Sequence, residues 1–241
     1  MRVETSTDGH TIAVSDVDTT VWRVGFEPSP WSWSDWNYAR DGRFDGRWDD
    51  PHGRWRTLYV ADSKRACYLE VLAHFRVETT LSARLEEIDD EDDDHPTLSP
   101  GTVPADWCTK RIVGSARLRG TYALPSAAET LSQLRSRFLD RAKALGFVDV
   151  DAAAMRQSEP RTLTQEVSAW IYTLAVGTTG LDGVEFNSRH DDQATLWAIY
   201  ERPPAASSTP HLTEHTGRPV DWEDADLEAA MRLHHLSWAA N

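Results

Sequence analysis

Cysteine is scarce: Cys67 and Cys108 are the only two in 241 residues. A disulfide framework is excluded as a source of stability, as is a four-thiolate zinc site within one chain, and both side chains are expected as reduced thiols. Long apolar runs are lacking too. No stretch offers the roughly 18 or more uncharged apolar residues of a membrane span. The opening MRVETSTDGHTIAV has neither the basic end nor the apolar stretch of a signal peptide, so a cytoplasmic chain with no membrane partner is expected. Positive charge is in deficit, with 25 Lys and Arg against 39 Asp and Glu and a formal net charge of −14. A general nucleic-acid binder needs a basic surface to displace counterions, so nucleic acid is not an expected partner, and any anionic ligand must meet locally gathered arginines. There is no GxSxG elbow, no GxxxxGK[ST] loop and no GxGxxG after a strand, which removes support for elbow-type serine hydrolases and the usual phosphate-loop enzymes.

What is present suits one globular core with additions: 40% apolar and 10% aromatic residues, including 11 tryptophans. Thr20 to Val24 (TVWRV) reads as a strand, followed by a Pro/Ser/Trp-rich loop and two Asp-Gly turn signals between Arg40 and Pro51. Leu58 to Ala61 reads as a short apolar strand. Asp62-Ser63 then caps a helix over Lys64 to Phe75 that places Ala66, Leu69, Glu70 and Ala73 on one side. Glu86 to Asp94 (EEIDDEDDD) is too self-repulsive to pack and is expected as an exposed loop; its spacing and missing glycine do not suit calcium. Further on, Arg111 to Arg119 alternates as an edge or half-buried strand does. Ala127 to Leu145 and Thr164 to Val176 have helical spacing, Gly183 to Asn187 and Thr195 to Tyr200 read as strands, and Trp222 to Leu236 reads as an amphipathic helix. His211 and His215 have helical metal-ligand spacing but no third ligand in sight, and no metal is expected.

Three groups of residues carry chemical potential. Arg23, Arg40, Arg43, Arg47, Arg54 and Arg56 are threaded with Trp31, Trp33, Trp36, Tyr38, Phe44, Trp48 and Trp55. Guanidinium forks suit phosphate oxygens and aromatic faces suit a planar base; equally, these side chains pack on one another or pair with the five nearby aspartates. Glu70, on the packed side of its helix, needs either an arginine partner or a function, because burying an unpaired charge is expensive. Ser188, in the polar triplet closing the strand Gly183 to Asn187, suits a phosphate or ribose, or simply satisfies a turn.

In order, WRVG at Trp22 to Gly25, GRWDDP at Gly46 to Pro51, LYVADSKRACYLEVLAH at Leu58 to His74, and LDGVEFNSRH at Leu181 to His190 resemble the RES-domain family, named for an arginine, a glutamate and a serine. The resemblance implies an α+β fold with an ADP-ribosyltransferase-like core of small twisted sheets and flanking helices. It spans roughly Thr20 to Tyr200, within a catalytic domain taken as residues 1–202, with an acidic insertion near 86–110 and a linker and terminal helix over 203–241 as additions. It implies cleavage of the nicotinamide–ribose bond of NAD by phosphorolysis or hydrolysis, or transfer of ADP-ribose to a protein; NAD is then substrate, phosphate a second one, and an antitoxin protein a partner. It makes Arg23 and Arg47 nucleotide-gripping arginines, Tyr59 the strand tyrosine, Glu70 the catalytic glutamate and Ser188 the serine, with Thr162 or Thr164 as alternative hydroxyls. The chain departs from the family's compact toxins in its insertions and in the two acids of GRWDDP, and an inactive binding module with a structural Glu70–Arg pair is the contrasting expectation.

Overall fold

The computed structural model describes residues 1–77, 99–157, 159–204 and 206–239; Glu86 to Asp94 lies outside them. The strands are β1 (Arg2–Thr5), β2 (Thr11–Phe26), β3 (Thr57–Ala61), β4 (Thr102–Val103), β5 (Arg111–Ala123), β6 (Ala175–Val176), β7 (Thr179–Gly180), β8 (Gly183–Asn187), β9 (Thr195–Tyr200), β10 (Leu212–Thr213), β11 (Arg218–Pro219) and β12 (Ser237–Trp238). The helices are α1 (Lys64–Leu72), α2 (Ala128–Ala144), α3 (Ala152–Arg156), α4 (Thr162–Thr173) and α5 (Ala225–Leu233). The architecture is mixed α+β, with a central sheet and flanking helices.

The sheet runs β1-β2-β3-β9-β8-β5-β10, and β5 also pairs with β2, so the five strands β2, β3, β9, β8 and β5 close on themselves. Side chains two apart share a face of a strand. Accordingly Leu58, Val60, Trp197 and Ile199 join Val21, Leu118 and the loop residues Trp31 and Trp33 in one buried cluster. Ala61, Leu196, Ala198 and Tyr200 face the other way, into the larger cluster formed with the helices. The helix-facing layer is where the site is built.

Several elements differ from the sequence expectation for physical reasons. The first strand is longer than Thr20–Val24 because β2 pairs with β5 from Val14 opposite Ala123 to Phe26 opposite Arg111. The same pairing makes β5 an interior strand, flanked on its other side by β8, β10 and β11, so of the two alternatives its alternation allowed it is the half-buried strand and not the edge. Its alternating polar residues face solvent, where Arg117 and Arg119 pair with Asp18 across the strand. The helix expected to reach Val176 stops at Thr173, where Leu174 turns extended and β6 and β7 form a hairpin about Gly177, whose φ is +62°. The last helix is shorter than Trp222–Leu236: Asp224 caps it by accepting from Asp226 N at 3.0 Å. This helix is built into the fold. It packs on α1, buries Leu227, Ala230 and Met231 in the main cluster, and ties Lys64 to Asp224 at 2.8 Å. Among the described residues, no helix is long and apolar enough to cross a membrane.

Candidate active site

The strand-to-helix unit β3–α1 forms as its sequence predicts, except that the α-helix expected to reach Phe75 ends at Leu72 and Ala73–Phe75 tightens into a 3-10 turn. Ser63 Oγ accepts from Ala66 N at 3.3 Å and starts α1, whose Ala66 and Leu69 are buried, and Glu70 emerges one position further round. Beside it opens a cavity of about 790 Å³ lined by Arg47, Tyr59, Glu70, Phe186, Arg189 and His190, among others. Ligand pockets fall in the range of roughly 300–1,000 Å³, so this one accommodates a nucleotide-sized molecule.

Glu70 has no cationic partner within 4.0 Å among the described residues, so the structural Glu–Arg pair is not what holds it. Its Oε1 accepts from Ser188 Oγ at 2.6 Å. Ser188 is fully buried, and its oxygen also accepts from His190 N at 2.9 Å and Asp191 N at 3.2 Å. The hydroxyl is thus committed to the carboxylate and to its own turn, and Ser188 stands behind Glu70 and off the cavity wall. The alternative hydroxyls are also off the wall, with buried Thr164 donating to Arg161 O at 3.0 Å.

Arg47 reaches the cavity from a turn that GRWDD builds for itself. Buried Asp49 accepts from Gly46 N and, at 3.0 Å, from Tyr59 OH, while Trp48 N donates to that same phenol oxygen at 2.9 Å. Burial pushes the Asp49 carboxyl up, against the pull of its hydrogen bonds, and burial followed by the nearby Asp49 charge pushes the Tyr59 phenol well up. Tyr59 is therefore a neutral brace whose hydroxyl is used internally and whose ring faces the cavity. A Cβ on Gly46 would lie 2.5 Å from both Asp49 Oδ2 and Tyr59 OH, so the turn closes only on glycine. Asp50 finishes it, accepting from Arg54 N and pairing with Arg54 Nη2 at 3.0 Å. The two acids that depart from the family pattern are what hold this turn together.

The Arg47 guanidinium lies 4.5 Å from the Phe186 ring centroid and donates to Arg156 O at 3.2 Å. Burial lowers its pKa to about 10, with Glu70 and then Tyr59 opposing, and it stays protonated at neutral pH. Arg23 is placed differently. Its Nε and Nη1 donate at 2.6 Å to Pro30 O and Tyr59 O, tying β2 to the following loop and to β3. It lines a separate space of about 70 Å³ that also touches Tyr59, Cys67 and Glu70, and not the main cavity.

Most of the Arg/Trp constellation follows the packing alternative. Trp31, Trp33, Trp48 and Trp55 are buried, and Arg56 pairs with Glu201 Oε1 at 2.5 Å. Of the six arginines Arg47 alone lines the main cavity. Sequence reasoning missed Arg76, Arg161, Arg189 and His190 on that wall. Arg189 and His190 directly follow Ser188 and Arg76 closes the turn after α1, but no spacing rule marks them. His211 lies 3.3 Å from Asp182 Oδ1 and His215 stacks on Trp31; no metal-ligating group appears among the described residues.

No curated protein matches the chain. Among solved structures, one from the crystal structure of the M. tuberculosis MbcT–MbcA toxin–antitoxin complex is similar at 12% identity and a TM-score of 0.46, covering 92% of each chain. A family model described as the RES domain matches residues 20–223, and by that match the chain belongs to the RES-domain family.

Proposed function

We propose that this protein consumes NAD by cleaving the nicotinamide–ribose bond, on an ADP-ribosyltransferase-like core. The observation that carries the reading is the Glu70 carboxylate, held through one oxygen by Ser188 at the wall of a nucleotide-sized cavity that also holds Arg47. When the glycosidic C–N bond breaks, its electron pair leaves with nicotinamide and the ribose becomes oxocarbenium-like. A fixed carboxylate beside that carbon stabilises the positive charge without reorganising. The incoming acceptor then bonds to the same carbon and releases its proton. Tyr59 offers its ring to the nicotinamide end and Arg47 its guanidinium to phosphate oxygens. Arg23 supports the wall from behind, through its two carbonyl contacts.

Incubating the purified chain with NAD labelled in the adenosine half tests this and identifies the acceptor. Free ADP-ribose marks hydrolysis, its phosphorylated form marks phosphorolysis, and label on protein marks transfer; NAD left intact refutes the reading. Phosphorolysis or hydrolysis is the expected outcome, with a toxin role and an antitoxin partner as its biological setting.

Ser188→Ala separates holding from binding. Glu70 Oε1 and the amides of His190 and Asp191 would each lose their partner, at a cost of ~1–3 kcal/mol. The expected result is a lower denaturation midpoint together with slower turnover at saturating NAD. A rise in KM alone, at unchanged stability, would place Ser188 on the substrate instead.

A further inference from the structure

The cavity holds more cationic side chains than bond cleavage uses. Arg76 Nη1 lies 3.4 Å from His190 Nδ1, and since a guanidinium only donates, the ring nitrogen accepts. Arg189 precedes His190 on the same turn, and Arg76, Arg189 and His190 all line the cavity. Burial holds the His190 imidazole below its usual pKa, and Arg189, His234 and Arg76 hold it lower still against the opposing pull of Glu70, so the ring is neutral and the two arginines carry the charge. Neither arginine has a carboxylate within 4.0 Å among the described residues, although Arg161 on the same wall is paired with Glu159 at 3.2 Å. In a chain of net charge −14, such a pair lining a cavity suits an anion.

The backing of this wall is fixed. His190 N and Asp191 N bond to Ser188 Oγ, which sets the turn. The His234 ring meets His190 edge-on, with centroids 5.3 Å apart, and His234 Nε2 donates to Leu69 O at 2.8 Å. His234 follows α5, beyond the residues matched by the family, and it links the histidine to the residue preceding Glu70 in α1. His190 Nε2 is buried with no partner among the described residues, an unfilled hydrogen bond in this wall.

We propose that Arg76 and Arg189, arranged around His190, form a subsite for a diphosphate, which on the reading above is the pyrophosphate bridge of the dinucleotide. That reading needs such a subsite. Of the two arginines that the family resemblance assigns to the phosphates, Arg23 is spent on backbone carbonyls away from the main cavity. Arg47 lies over Phe186 at the Glu70 end of the cavity and offers a single guanidinium, whereas the bridge carries two phosphates. Two guanidinium forks match the doubly charged bridge and fix it against the same cavity that Glu70 lines.

The test uses the full chain and two probes. Titration calorimetry with inorganic pyrophosphate reads the subsite without any reference to NAD, and NAD turnover reads its use. Arg76→Ala and Arg189→Ala are both at exposed positions, so their melting temperatures should stay at the wild-type value. Each is expected to weaken pyrophosphate binding about tenfold or more, the loss of one charge-assisted contact, and to raise the KM for NAD by a similar factor. Pyrophosphate binding that survives the double variant, or NAD turnover with an unmoved KM, overturns the subsite while leaving the NAD reading in place. Arginine-dependent pyrophosphate binding by a wild type that leaves NAD intact supports the subsite and overturns that reading. No pyrophosphate binding by the wild type overturns the subsite outright.

Discussion

Glu70→Gln is expected to slow NAD consumption by about three orders of magnitude while leaving the protein folded. The substitution keeps the side chain's shape and removes its charge. The glutamine oxygen can still accept from Ser188 Oγ, which bonds Glu70 Oε1 at 2.6 Å, so the turn from Ser188 to Asp191 keeps its anchor. What is lost is the negative charge facing the reacting carbon. No cation lies within 4.0 Å of the carboxylate among the described residues, so the exchange breaks no ion pair and the melting temperature should move little. Chromatographic quantification of NAD, run beside thermal melting, checks both halves. A variant that keeps more than a tenth of wild-type turnover would remove Glu70 from the chemistry. A variant that loses turnover because it has unfolded would make the residue a structural brace, which the unpaired carboxylate argues against.

The unit carrying Glu70 was the most legible part of the chain because every signal in it is local. An apolar tetrapeptide, a serine cap and helical spacing are all read within Leu58 to Phe75, and β8 and β9 likewise have the bounds the sequence indicates. Less legible was anything decided between distant segments. The middle of β2 carries Asp16 and Asp18, which look like loop residues until Arg2, Arg117 and Arg119 arrive from other strands to pair with them. The closing of the sheet through β2 and β5 has no local signature either. Within the site, the sequence named Arg47, Glu70 and Ser188 but could not apportion hydrogen bonds. It could not foresee that Ser188 spends its hydroxyl on Glu70, that Arg23 spends its donors on Pro30 and Tyr59, or that α5 would buttress α1. Partner choice is a property of three-dimensional proximity, and residue type supplies only the list of candidates.

The tryptophans illustrate this most sharply, and Trp48→Ala carries the largest expected effect on stability, a loss of ~3–5 kcal/mol. Read in sequence, Trp48 sits beside Arg47 like a ring waiting for a nucleotide base. In the structure it is fully buried, packed against Phe186 with ring centroids 5.6 Å apart. Its carbonyl accepts from Ser168 Oγ at 2.6 Å and its amide donates to Tyr59 OH, so backbone and side chain together pin the Gly46–Asp50 turn to α4 and β3. Emptying that volume removes the support under Arg47, and turnover should fall along with stability. For a chain of this length the loss corresponds to a melting temperature lower by about 6–20 °C. Trp36, which remains 38% exposed, is the internal comparison: Trp36→Ala should change stability by no more than ~0.5 kcal/mol. Were Trp48 instead a base-stacking platform, its alanine variant would melt normally and show only a raised KM for NAD. A normal melt would therefore return the tryptophan to the ligand and remove it from the core.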